Sequence, residues 1–328
     1  MARIGLVLGA GGLTGQAYHA GVLAALEAEL GWDPRSAELI VGSSAGSLTG
    51  AALRIGVPAH DLLASAVGTE LSAEGAFLAA FDREGPDIPP FDPKHAFSGW
   101  RLPSADLLRR TARRPWAFRP ASAAATLLPP GFVDITGPAD ALAPLLGHDW
   151  PAGLWICAAR RSDGGRVAFG RPGAPPATLG RAVAASCAIP GYFAPVEIEG
   201  VAYLDGGVHS PTNADIVRGE HLDLVIVSSP MSAAHGRMRG ADAAVRWALH
   251  RRLDQEVQRL RRSGTQVVRI EPKSSTRAVM GVNAMADGRA AEVAQVAKSD
   301  VTAYVRLPRV AERLALLPRN ARPRIPAR

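Results

Sequence analysis

Three short segments hold the residue types best suited to chemistry. Gly42-Ser43-Ser44-Ala45-Gly46 is a G-x-S-x-G whose small residues let a serine sit on a sharp strand-to-helix turn with its hydroxyl exposed, which makes Ser44 the nucleophile candidate. Alone, the pentapeptide reads equally as a loop ending in a helix-capping serine. Upstream, Gly9-Ala10-Gly11-Gly12-Leu13-Thr14-Gly15 lies between a strand and a helix, where backbone N–H groups can converge on negative charge with help from the helix dipole. It is not a dinucleotide fingerprint: Thr14 stands where the third glycine belongs, and the next strand ends in Gly42-Ser43-Ser44, not in an acid. Nor is it a P-loop, since no lysine precedes Lys94. The third segment is Asp205-Gly206-Gly207, a carboxylate at a tight turn after a strand, and also the commonest form of an ordinary β-turn.

In a parallel sheet the turns after the first two strands are neighbours at the carboxyl edge, so the amide-rich loop falls beside the serine. A nucleophile and an oxyanion cradle are two of the three parts of an acyl-transfer site. The third is a base. Ser44 comes too early for an α/β-hydrolase, which places its serine after several strands and follows it with an acid and a histidine. Of the histidines after Ser44, His60, His95, His148, His221, His235 and His250 occupy contexts that do not demand the base role. Asp205 is the sharper candidate, with His209 left open as the member of a conventional triad.

The elements that must position these residues follow from apolar runs and turn signals. Ile4–Leu8 reads as a strand, Gln16–Leu30 as a helix, Leu39–Val41 as a strand and Ser47–Ile55 as a helix, the start of a parallel sheet. Residues 70–151 carry frequent prolines, aromatics such as Phe77, Phe81, Phe91, Phe97, Trp100, Trp116 and Phe118, and arginines at 109–119. Such a segment reads as an insertion of short helices and loops that either caps a site or packs on the sheet edge. Beyond it come a hairpin (Leu154–Ala159, Arg166–Phe169), a helix (Thr178–Ala188), a second hairpin (Val196–Ile198, Val201–Leu204) and strands Leu222–Val227 and Gln266–Ile270 around helix Asp242–Arg262. A last helix is expected over Val301–Leu316, interrupted near Pro308. The expected architecture is a three-layer α/β/α protein with a mostly parallel sheet, a domain over 1–307 and a basic tail over 308–328.

Composition bounds the rest. With 328 residues, 47% of them hydrophobic and 20% charged, the chain can build a large core, and disordered, collagen-like and coiled-coil classes fall away. The net charge of +7 is concentrated in the tail, where six arginines face Glu312. No aromatic-stacking module or reading helix accompanies those charges, so no nucleic-acid partner is expected. Cys157 and Cys187 can build neither a disulfide framework nor a metal site and read as buried apolar residues; no metal or cofactor is expected. The amino terminus lacks the pattern of a secretory leader and no window is apolar enough for a membrane span, which points to a cytoplasmic protein. The arginines at 109–119 and Arg309, Arg313, Arg319, Arg322, Arg324 and Arg328 admit peripheral contact with anionic lipid.

Taken together, order, spacing and flanks resemble the patatin-like phospholipases. The likeness covers residues 4–56 and 178–216: Ile4–Gly12, Ala20-Gly21-Val22-Leu23 and Gly42–Gly46, then Ala188-Ile189-Pro190-Gly191-Tyr192-Phe193-Ala194-Pro195-Val196 leading to Leu204–Val208. The resemblance implies a serine ester hydrolase of phospholipase A, lysophospholipase or carboxylesterase type. In it Ser44 attacks, Asp205 takes the proton, and the N–H groups of Gly11, Gly12 and Leu13 hold the oxyanion, supported by Gly9, Gly15, Gly42, Gly46, Gly206 and Gly207. The departures are Ala10 for the first glycine of the family's loop, Thr14 for its basic residue and Ser43 for the common threonine. Thr14 also motivates the alternative, a weak or inactive relative that uses the loop to bind lipid or an anion. A dyad sets its own physical requirement: an aspartate with a pKa near 3.9 is a poor base, so the site must be closed and apolar.

Overall fold

A computed structural model describes residues 2–76, 78, 102–113, 120–141, 149–233, 241–286, 288–319 and 323. In chain order the elements are β1 (Ile4–Leu8), α1 (Gly12–Leu30), β2 (Leu39–Ser43), α2 (Ala45–Arg54), α3 (Ala59–Val67), α4 (Ala105–Arg113), α5 (Pro120–Leu127), α6 (Thr136–Ala141), β3 (Leu154–Arg160), β4 (Arg166–Phe169), α7 (Leu179–Cys187), β5 (Val196–Ile198), β6 (Val201–Asp205), β7 (Leu224–Ser228), α8 (Ala241–Arg262), β8 (Gln266–Ile270), α9 (Ser274–Met280), α10 (Ala290–Val305) and α11 (Pro308–Leu314).

The sheet has eight strands. β3, β2, β1, β7 and β8 run parallel in that order, and β4, β5 and β6 join antiparallel at the β3 side. Its central strands read as unbroken apolar runs because both faces are covered. Leu6, Leu8, Ile40, Ile156, Leu224 and Ile226 point into one core with α1, α2, α7 and α10. Their neighbours Val7, Val41, Cys157, Val225 and Val227 point into the other, closed by Leu253, Val257 and Leu260 of α8. This is a three-layer α/β/α fold with a mostly parallel sheet. α1 is apolar on nearly every side since it lies buried against α10, where a Cβ on Gly21 would stand 2.2 Å from the Ala294 carbonyl oxygen.

Several boundaries differ from the sequence reading. α1 starts at Gly12 and not at Gln16, so half of the glycine-dense stretch is helix. β2 runs on to Ser43 and α2 starts at once at Ala45. The last helix is interrupted near Pro308 as expected, but its first part, α10, begins at Ala290 and not at Val301, and Pro308 opens α11, where its missing N–H costs nothing. The segment from 308 is anchored: Val310, Leu314 and Leu317 are buried in the first core. Of the 70–151 insertion, α4, α5 and α6 are described, and Leu78 and Ile135 join that core too. Phe77, Phe81, Phe91, Phe97, Trp100, Trp116, Phe118, His95, His148, His235, Arg322, Arg324 and Arg328 lie outside the described residues. Among the described residues no helix is long and apolar enough to cross a membrane.

Candidate active site

Strand β3 brings the distant segments together. It pairs with β4 over Ile156–Ala159, and both β2 (up to Ser43↔Cys157) and β6 (from Ala158↔Asp205) overlap that register. A strand has only two edges, so β2 and β6 must share the one opposite β4. β2 runs parallel to β3 and β6 antiparallel, and they meet head to head with their carboxyl ends at adjacent positions of β3. Ser44 follows the last residue of β2; Asp205 is the last residue of β6.

Ser44 stands at φ 52° and ψ −124°, a backbone conformation unusual for a side chain larger than hydrogen and held here from several sides. Its N–H donates to Ser186 Oγ (2.9 Å), which donates to the Cys157 carbonyl (2.6 Å). Its own carbonyl accepts from Ser47 N–H at 2.7 Å and Ser47 Oγ at 2.6 Å. The outer glycine of the motif is steric: a Cβ on Gly46 would lie 2.0 Å from the Leu8 carbonyl oxygen, because the start of α2 rides directly on the end of β1.

Asp205 is 6% exposed and Ser44 5%. The Ser44 hydroxyl stands next to the Asp205 carboxylate, and Gly207 N–H donates to Asp205 Oδ1 at 2.6 Å. Burial pushes the Asp205 carboxyl up to about 6, a rise that those two neighbours moderate. Beside them, burial pushes the Cys187 thiol up to about 12, so it stays a neutral thiol. His209 Nδ1 faces the Gly164 carbonyl at 3.4 Å.

The glycine loop supplies free donors. Gly9 N–H goes to Ser228 O, Ala10 N–H to Pro211 O, Thr14 N–H to Ala284 O and Gly15 N–H to Gly11 O. Between them, the N–H groups of Gly11, Gly12 and Leu13 have no hydrogen-bond partner among the described residues. Gly12 takes φ 59°, and a Cβ there would meet the Ala284 carbonyl oxygen at 2.5 Å. Ala10 keeps a negative φ, so the alanine departure leaves the backbone path intact. Thr14 is buried, with Oγ1 within 3.5 Å of the Gly11 and Ala284 carbonyls. A longer basic side chain there would have to displace the 281–286 segment.

An apolar cavity of about 210 Å³ opens beside these groups. Gly12, Leu13 and Ser44 stand in its wall with Leu48, Ile55, Val183, Cys187, Phe193 and Met285, and Leu78, Ile135 and Ala139 come from the insertion. A larger cavity of about 1140 Å³ has Arg109, Arg113, Arg160, Arg161 and Arg166 in its wall with Asp106 and Asp163, but neither Ser44 nor Asp205.

The family model described as Patatin-like phospholipase matches residues 6–218, a span that runs from β1 past the Asp205 turn. The chain belongs to the patatin-like phospholipase family. Families of this class are lipid acyl hydrolases, and the fold agrees. Among solved structures, VipD from Legionella pneumophila is similar at 15% identity, with a TM-score of 0.42 over 93% of this chain and 67% of that one. No curated protein matches the chain in sequence.

Several residues of this patatin-like site carry no motif signal. His19, fully buried in α1, has Nε2 2.8 Å from the Gly9 carbonyl and Nδ1 2.8 Å from Ser228 Oγ, and burial lowers its pKa to about 4, so the ring is neutral. Nε2–H therefore donates to Gly9 and Nδ1 accepts from Ser228, which ties the glycine loop to β7. Met285 comes from a segment with no apolar periodicity. Only the position of His19, one helical turn past the glycines, could have drawn attention to it.

Proposed function

We propose that the protein is a serine acyl-ester hydrolase working through Ser44 and Asp205. Ser44 Oγ attacks the ester carbonyl carbon while Asp205 takes its proton. The carbonyl oxygen, now negative, is held by the N–H groups of Gly11, Gly12 and Leu13 at the amino end of α1. The intermediate collapses, the carbon–oxygen bond to the alcohol breaks, and Asp205 returns the proton to the departing oxygen. Water then attacks acyl-Ser44, giving its proton to Asp205, and the carboxylic acid leaves as the proton goes back to Ser44 Oγ. The observation that carries this reading is the head-to-head meeting of β2 and β6, which sets the Ser44 hydroxyl beside the Asp205 carboxylate and near three amides that have no partner among the described residues. A carboxyl near 6 is a better-matched base than a solvated aspartate and is still ionised at neutral pH.

The apolar cavity accommodates an acyl chain, so the substrate class is a lipid ester of phospholipase A, lysophospholipase or carboxylesterase type. The insertion, which lends Leu78, Ile135 and Ala139 to the cavity wall, acts as its cover. Arg109, Arg113, Arg309, Arg313 and Arg319 are exposed and supply peripheral attraction to anionic lipid for an otherwise cytoplasmic enzyme. The second reading, a non-catalytic lipid- or anion-binding relative, draws on the buried Thr14 in place of a cation. A fluorophosphonate probe separates the two. Labelling at Ser44, abolished in Ser44→Ala, is expected of the hydrolase; a folded protein that stays unlabelled supports the module. Near-parental turnover in His209→Ala is expected, and its loss would bring the triad back.

A further inference from the structure

Asn213 joins the two halves of the site. It is fully buried and sits at φ 51°, in the left-handed region that asparagine tolerates better than most residues. Its Nδ2 donates to Ser43 Oγ (2.9 Å), Gly206 O (3.1 Å) and Ser210 O (2.7 Å), and its Oδ1 faces Arg166 Nη1 at 3.4 Å. The amide orientation is thereby fixed, with two carbonyls at one end and a guanidinium at the other. One side chain thus touches the residue before Ser44 and the residue after Asp205.

Its own loop is rigidly mounted. Ser210 Oγ and Thr212 Oγ1 each donate to the Glu256 carboxylate at 2.6 Å, and Ala214 N–H does so at 2.9 Å. Glu256 is fully buried on α8 and pairs with Arg252 at 3.2 Å. β2 and β6 end facing one another with no strand bond between them, so β3 sets their register but does not tie the two turns to each other.

We propose that Asn213 is a positioning residue that fixes the separation of the Ser44 and Asp205 side chains by tying both turns to one amide mounted on α8. The proposal rests on the hydrolase reading above. A dyad has no third side chain to orient its base, and a misplacement of about 1 Å can cost on the order of a hundredfold in rate.

The test is a double-mutant cycle on the full chain with a soluble ester, kcat being expressed per fluorophosphonate-titrated site so that misfolded protein does not count. Asn213→Gly keeps the left-handed backbone and removes the amide. Ser43→Ala cuts the tie at its other end and leaves Asn213 bound to Gly206 and Ser210. Each is expected to lower kcat about tenfold to a hundredfold with KM within about twofold, because the cavity wall is untouched. The double variant should be no slower than Asn213→Gly alone. Parental kcat per site in either single variant, or fully multiplicative losses, overturns the proposal while leaving the hydrolase reading intact. If Asn213→Gly does not fold, Ser43→Ala decides alone. A parent protein that fails to label at Ser44 removes both readings together.

Discussion

Asp205 and Glu256 are both carboxylates withdrawn from water, one at the head of the 206–214 loop and the other holding that loop from α8, and they are served very differently. Glu256 receives two hydroxyls, one backbone N–H and a guanidinium. Asp205 receives one backbone N–H and faces the hydroxyl of Ser44, and among the described residues no cation contributes to its pKa. Full satisfaction makes a buried charge a structural anchor, whereas sparse satisfaction leaves a group that gains by taking a proton. In the proposed mechanism, reactivity comes from withheld partners and not from an unusual residue.

Four measurements can break or sharpen that contrast. The largest expected effect is on turnover: Asp205→Asn should lower kcat by about a thousandfold or more, since the amide cannot accept the Ser44 proton. Next, kcat/KM of the unaltered protein should fall about tenfold per pH unit below a midpoint of about 6, the value for the Asp205 carboxyl. A midpoint near 4 would mean that Asp205 is solvated or is not the base. Third, Glu256→Gln should lower the unfolding free energy by about 1–3 kcal/mol, because an amide cannot satisfy all of those donors, yet leave the acid limb of the rate profile in place. Chemical denaturation and the rate profile check both halves.

The last measurement concerns how stability depends on pH. Asp205 is raised on folding, so the folded protein binds more protons than the unfolded chain between about pH 4 and 6, and this group's contribution declines as pH rises through that window. Asp205→Asn removes this penalty and should stabilise the neutral-pH protein by up to about 3 kcal/mol, while its activity is lost. His19 has the opposite sign. Its folded value of about 4 lies below the unfolded one, so its contribution is present at neutral pH and lost as pH falls from about 6.5 to 4. The two slopes oppose each other in the parent between about pH 4 and 6. Denaturation curves of Asp205→Asn should therefore fall off on acidification more steeply than the parent's, by up to about 1.4 kcal/mol per pH unit.

Much of this was legible in the sequence, for identifiable reasons. The central strands announced themselves as apolar runs, and the glycines around Ser44 and Asp205 marked turns whose steric demands the structure displays at Gly46 and Gly206. Illegible were the polar residues whose meaning depends on tertiary neighbours. Glu256 sits in an arginine-rich helix that reads as a solvated face, and Asn213 in a Ser-Pro-Thr-Asn stretch that reads as plain loop. The start of α1 was obscured because glycine argues against helix locally, while the Thr14–Ala284 hydrogen bond and packing on Pro230 hold Gly12–Gly15 helical. The apolar positions of α10, Val293, Ala294, Ala297, Val301 and Val305, do keep helical spacing, but alanines weaken the signal.

The head-on meeting of β2 and β6 has a consequence for how such a protein can change. Two pairings on a single strand set the register of the Ser44 and Asp205 turns, and the segment between α3 and β3 enters into neither pairing. The long excursion between α3 and β3 can therefore be rewritten without changing either pairing, so long as it keeps the cavity covered. Ligand preference can evolve there while the reacting pair stays where it is.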